Sequence, residues 1–280
     1  WNGASACLDL SNPKAQNWFK KQLDYLVNDY GVDGFKFDAG DARFYIDDVV
    51  SWQRDITPND HTQFFAEFGL NYPLNEYRAS WKMAGLPLAQ RLRDKGHEWE
   101  DLEKLIPDQM SQSIMGYAYT CPDMIGGGEY RSFLNSSSLD EELVVRSAQV
   151  HALMPMMQFS VAPWRILSEE NNQICLNMAK LHVDMGRRIL GLAKSASNSG
   201  EPIVKPMEMA FPEGEYELVK DQFVLGNEII VAPVIKKGAR SRSVLLPSGK
   251  WKADDGKIYN GDQEVIIDVP LSRLPYFELL

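Results

Sequence analysis

Cysteine, histidine and basic residues are scarce in this chain, and no long apolar run interrupts it. The three cysteines, Cys7, Cys121 and Cys175, lie far apart and make no C-x-x-C pair. The four histidines, His61, His97, His151 and His182, have no metal-ligand spacing. A disulfide framework and a zinc site are therefore not expected; the thiols read as buried, and no metal or other cofactor is implied. Basic residues number 29 against 39 acidic ones, leaving a formal charge of −10. That balance argues against a nucleic-acid or anionic-membrane partner, which would want a basic face. Without a run of about 18 apolar residues, no helix should span a bilayer. The opening Trp1-Asn2-Gly3 offers no initiator Met and no signal segment. The chain reads as starting in mid-fold, and its compartment stays open.

What is present is a core-forming composition, 44% hydrophobic over 280 residues. Residues 5–10 form a short apolar run stopped by Ser11-Asn12-Pro13, a cap and proline that should open a helix. Phe19, Leu23, Leu26, Val27 and Tyr30 recur at helical spacing, Gly31 closes the helix, and residues 32–38 (VDGFKFD) read as a buried strand ending in an aspartate. The rhythm continues with helices near 61–71, 98–113, 139–153 and 171–194 and strands near 75–81, 114–121, 156–161 and 202–209. Alternating strands and helices imply parallel βαβ units. About six strands are legible, so the fold class is α/β, a partial (β/α)8 barrel over 1–228 holding about strands 3–8 of eight. From 229 to 280 short β runs separated by Gly, Pro and Asp-Gly turns predict a small antiparallel all-β, sandwich-like domain.

Chemistry in such a barrel sits at the C-terminal strand ends. Lys36, Asp38, Arg78 and Asp123 fall there, and Asp94 lies in the QRLRD loop beyond the Arg78 strand, on the same face. Two carboxylates across a cleft are the minimum for glycoside hydrolysis, one to attack the anomeric carbon and one to protonate the leaving oxygen. Taken singly, each residue has a plainer reading. Asp38 could cap a helix, Arg78 could serve a salt bridge, Asp94-Lys95-Gly96 could be a turn, and Asp123 could cap a loop. Two further readings remain open: a Schiff-base lyase using Lys36, which the nearby Asp38 and Asp41 disfavour, and a non-catalytic sugar-binding fragment.

Several blocks, in order and at the right spacing, resemble glycoside hydrolase family 31. Residues 1–13 (WNGASACLDLSNP) resemble W-x-G-x-x-x-x-x-D-x-x-N-P, and residues 31–41 (GVDGFKFDAGD) resemble the nucleophile block D-G-x-W-x-D-M-N-E. Arg78 stands at the R-S-x-F arginine, Asp94 follows sixteen residues later, and Trp99 matches the tryptophan of D-N-x-x-x-W. Residues 116–127 (GYAYTCPDMIGG), the Arg146-Ser147-Ala148-Gln149 stretch, and the runs EPIVKPMEMAFP and DQFVLGNEIIVAPV match further blocks. The resemblance implies a retaining, exo-acting α-glycosidase with Asp38 as nucleophile and Asp94 as general acid/base. It places Lys36, Arg78, Asp123, Asp41, Trp1 and Ser160 at sugar-binding positions, with an oligosaccharide or glycoside as partner. It also implies that earlier barrel strands come from the rest of the polypeptide or from another chain.

The departures bear on the sugar. Lys36 replaces the family's tryptophan, Ala39 its methionine, Asp41 the acidic end of D-M-N-E, Ser160 a histidine, and QRLRD the HWTGD arm. They resemble a subgroup whose implied activity is α-galactosidase. A lysine can donate to the axial 4-hydroxyl or to the 3-hydroxyl of galactose, where an indole cannot. Galactose is therefore expected ahead of glucose or xylose.

Overall fold

The computed structural model describes residues 6–46, 48–128 and 139–280, in two compact units, Trp1–Arg91 and Leu92–Leu280. In the first, α1 (Pro13–Tyr30) opens on Asn12, whose side chain accepts from the Lys14 N–H, and ends at Gly31, whose φ of 68° a residue with a Cβ rarely adopts. α2 (Pro58–Gly69) starts earlier than the apolar periodicity suggested. Thr57 and Asp60 make a reciprocal capping box, and Pro58 fills the first turn. β1 (Gly34–Phe37), β2 (Leu74–Tyr77) and β3 (Ala89–Arg91) pair in parallel. Gly34 is required in β1: a Cβ there would lie 1.9 Å from the Leu74 carbonyl oxygen. The apolar run at 6–9 forms no strand, and Cys7, expected to be buried, is exposed. The inner aromatic layer is Phe37 stacked on Tyr77 at 5.2 Å with Phe65 edge-on to Phe37.

In the second unit β4 (Thr120–Cys121) precedes β5 (Met124–Ile125), which pairs in parallel with β6 (Gln158–Phe159). α3 (Trp99–Ile114), α4 (Glu141–Ala152) and the 31-residue α5 (Glu169–Ser199) surround a core that includes Leu105, Ile106, Val145, Ala148 and Cys175. Burying such side chains is worth about 1.5–3 kcal/mol each. The strand expected over 202–209 is only β7 (Val204–Lys205), followed by a single helical turn, α6 (Met207–Ala210), because Pro206 cannot continue a ladder. β7 pairs antiparallel with β8 (Phe223–Leu225), and β8 with β9 (Ile229–Val231). The sheet continues through β14 (Tyr276–Leu279), β11 (Lys250–Ala253) and β12 (Ile258–Asn260). A hairpin of β10 (Ser241–Leu246) with β13 (Gln263–Asp268) completes a second core around Trp251 and Phe277. No helix among the described residues is long and apolar enough to cross a membrane.

Candidate active site

Strand register assembles the cluster around Asp38. β1 and β2 align Lys36 with Glu76 and Phe37 with Tyr77, and β2 and β3 align Glu76 with Ala89 and Tyr77 with Gln90. Continuing one residue, Asp38, Arg78 and Arg91 share a row. Side chains alternate across a sheet, so the Lys36–Glu76 and Asp38–Arg78–Arg91 rows present one face, opposite the Phe37–Tyr77 aromatic layer.

The contacts follow from that placement. Arg78 Nη1 lies 3.2 Å from Asp38 Oδ1, and its Nη2 lies 2.7 Å from Asp41 Oδ2. Its Nε donates to the same Asp41 oxygen at 3.2 Å. Arg91 Nη2 donates to Asp38 Oδ1 at 3.4 Å, and Arg91 Nε lies 3.3 Å from Glu76 Oε1. Lys36 Nζ reaches the same Glu76 oxygen at 3.4 Å. Burial is unequal: the arginine side chains are 6% (Arg78) and 3% (Arg91) exposed, whereas that of Asp38 is 44% exposed. Buried cations thus hold a carboxylate that itself faces outward. Ala39, directly after Asp38, takes φ 65°, a left-handed turn that costs a non-glycine residue of order 1 kcal/mol and recurs at functional loops. A cavity of about 730 Å³ in this unit is lined by Asp38 and Ala39 together with Leu8, Phe19, Phe44 and Phe65. Cys7 and His61 also border it, Sγ 3.6 Å from Nε2. Partial burial, then the Asp9 charge, pushes the thiol up, and burial pushes the imidazole down against the opposing Asp9 charge.

The second unit carries Asp94, Asp123 and Ser160. Asp94 is half-buried at the head of a loop pinned residue by residue. The Lys95 N–H donates to Asp123 Oδ2 at 3.0 Å, and the Gly96 N–H to Asp101 Oδ2 at 2.6 Å. His97 Nδ1 bonds the Gly126 carbonyl at 2.9 Å while its Nε2 accepts the Asp140 N–H, so the ring proton sits on Nδ1. Gly127 packs against this loop, where a Cβ would come within 2.9 Å of the Lys95 and Gly96 carbonyl oxygens. Asp123, fully buried with φ 74°, therefore braces the Asp94 loop through a backbone bond. Ser160 Oγ donates to the Gly127 carbonyl. Trp99, at the position of the family tryptophan, packs on the core, and its indole N–H donates to Asp140 Oδ2 at 2.9 Å. Trp1 lies outside the described residues.

Sequence reasoning missed Arg91, Glu76 and His97. Arg91 was hidden in a stretch read as loop; Glu76 and Arg91 both sit at even spacing with Lys36-x-Asp38 once β2 and β3 are aligned, the one signal that could have found them. Among the described residues no group of three or more His, Cys, Asp or Glu is placed to hold a metal.

Comparison with known proteins agrees with this architecture. Residues 1–185 match the glycosyl hydrolases family 31 TIM-barrel domain, and residues 200–278 the glycosyl hydrolase family 31 C-terminal domain. The myogenesis-regulating glycosidase of Mus musculus is 32% identical over 99% of this chain and 40% of its own length. In fold, the chain is similar to the cycloalternan-degrading enzyme of Trueperella pyogenes in complex with a covalent intermediate, at TM-score 0.81 and 19% identity over 97% of this chain and 40% of that one. The Flavobacterium johnsoniae GH31 dextranase complexed with glucose gives TM-score 0.82 and 22% identity over 100% and 38%. The chain spans about 40% of the length of these relatives. It carries part of a (β/α)8 barrel followed by a small antiparallel β domain, and it belongs to glycosyl hydrolase family 31.

Proposed function

We propose that the protein is a retaining α-glycoside hydrolase in which Asp38 attacks the anomeric carbon while Asp94 protonates the leaving oxygen. Asp94 then activates water to release the sugar. One observation carries this reading: a half-exposed carboxylate at the end of β1 is held by two buried guanidinium groups that both meet Oδ1. The other oxygen, Oδ2, is the one proposed to attack. Arg78 bridges Asp38 to Asp41 and so ties the proposed nucleophile to a second carboxylate.

The nucleophile cluster sums to zero formal charge, with Lys36, Arg78 and Arg91 against Asp38, Asp41 and Glu76, which suits a neutral hexose better than an anionic sugar. Lys36, tethered at Glu76 yet 40% exposed, can point an ammonium at a galactose hydroxyl. Galactose is the proposed glycone, ahead of glucose and xylose, and the remaining barrel strands are proposed to come from the rest of the polypeptide or another chain. The test is a panel of 4-nitrophenyl α-glycosides (galactose, glucose, xylose, sulfoquinovose) on the full-length protein. Highest kcat/KM on the galactoside, lost in Asp38→Asn, is expected; absence of turnover on every member would favour a sugar-binding role.

A further inference from the structure

We infer that Arg91 is a positioning residue for the nucleophile, acting with Glu76 as a buried brace that fixes which oxygen of Asp38 faces the substrate. The inference rests on the reading of Asp38 as nucleophile and extends it to a residue that stands where the family pattern has the tryptophan of its HWTGD arm. The geometry is specific. Register puts Arg91 in the row of Asp38 and Arg78, one step past the Tyr77–Gln90 pair. Its guanidinium reaches Asp38 Oδ1 through Nη2 at 3.4 Å and Glu76 Oε1 through Nε at 3.3 Å.

A carboxylate on a short side chain can rotate about its last bond, exchanging its two oxygens. One cation on Oδ1 lowers that freedom; two cations converging on the same oxygen from neighbouring strands remove most of it. Arg78 cannot do this alone, because its Nε and Nη2 are committed to Asp41. Arg91 in turn would drift without Glu76, since two adjacent guanidinium groups repel each other. Glu76, 9% exposed, supplies the counter-charge and shares its Oε1 with Lys36. The Glu76–Arg91 pair therefore links the lysine proposed to read the sugar to the carboxylate proposed to attack it. Arg91 and Glu76 touch other protein groups and are largely shielded from solvent, so neither is a catalytic residue.

The test uses the full-length protein and reads kcat per active site, with sites titrated by a fluorosugar that traps the glycosyl-enzyme. Arg91→Met should lower kcat per titrated site 10- to 100-fold with KM within about threefold, Arg91→Lys should recover part of the loss, and guanidinium ion should partly rescue Arg91→Gly. Glu76→Gln should lower kcat in the same sense but less. Unchanged kcat per titrated site in Arg91→Met, or a loss confined to KM, would overturn the inference. Should Arg91→Met fail to fold, the Arg91→Lys and Glu76→Gln measurements decide by the same criterion. Asp38→Asn is the control: if it keeps full turnover the nucleophile reading itself fails, whereas a dead Asp38→Asn beside an unimpaired Arg91→Met rejects only the role of Arg91.

Discussion

Arg78 in the first unit and Arg146 in the second are both nearly inaccessible, yet their partners differ in kind. Arg78 meets carboxylates, Asp38 and Asp41, one of them half-exposed. Arg146, fully buried in α4, meets only neutral acceptors: the Gln149 amide at 2.9 Å and the backbone carbonyls of Val269 at 2.9 Å and Ala239 at 3.2 Å, with Arg273 and Pro270 at 3.4 and 3.5 Å. Gln149 adds a bond to the Leu271 carbonyl at 2.6 Å. Burial, then repulsion from Arg240, pulls the Arg146 guanidinium down to about 10, with Glu142 opposing. An arginine satisfied by carbonyls ties a helix to the β domain; one satisfied by carboxylates, one of them half-exposed, is the arrangement proposed to organise the nucleophile. Similar burial thus serves two purposes, and the partners tell them apart.

The sharpest way to break that comparison is at the carboxylate. Asp38→Asn should lower kcat/KM by about 10⁴-fold or more with the protein still folded by circular dichroism, because Arg78 keeps Asp41 and Arg91 keeps Glu76 as counter-charges. Next, Arg78→Met and Arg146→Met should dissociate. The first should reduce kcat/KM by roughly 10²-fold, about 3 kcal/mol of lost charge-assisted bonding. The second should cost about 3–5 kcal/mol in denaturant unfolding by leaving buried carbonyls unpaired, with kcat of the folded fraction intact. If Arg146→Met lost catalysis without losing stability, the comparison would fail.

A third expectation concerns pH. His151 is fully buried in α4, its Nδ1 donating to the Ser147 carbonyl at 2.7 Å. Burial depresses it from 6.5 to about 4, against the carbonyls of Ser147 and Asp123, which raise it, and with His182, which lowers it further. Between those values the unfolded state binds the extra proton, so stability falls as pH drops from about 6.5 toward 4, by roughly 3 kcal/mol in all. Urea unfolding at pH 7 and 4.5 should show this loss in the wild type and a smaller one in His151→Gln. The smallest effect is expected at Lys36: Lys36→Met should cut the galactoside-over-glucoside ratio of kcat/KM about tenfold, roughly one hydrogen bond to a charged group, with no change in melting temperature.

Much of the frame was legible in the chain. Helical periodicity with Asn12-Pro13 and Gly31 at its ends located α1, and the GFKF run located β1 and hence Asp38. The segment that hid Arg91 was not legible because Ala89-Gln90-Arg91 has no β-branched or aromatic residue; it is a strand only because the Tyr77 strand lies beside it. The buried partners of Asp38 follow from register across three strands, which no single stretch encodes. Asp123 showed the opposite problem. It was visible as a polar residue after a strand, but its role as a brace for the Asp94 loop depends on a backbone N–H 28 residues away. The antiparallel sheet was read from the hairpin chemistry beyond 229, whereas β8 and its antiparallel pairing with β7 escaped notice, because an apolar run resembles a buried parallel strand as closely as an antiparallel one.

The central claim is most directly tested by covalent trapping. Full-length protein incubated with 5-fluoro-α-galactosyl fluoride, with the glucosyl reagent in parallel, and digested for mass spectrometry should yield one glycosylated peptide carrying the sugar on Asp38. A label on any other residue, or the same labelling in Asp38→Asn, would contradict it.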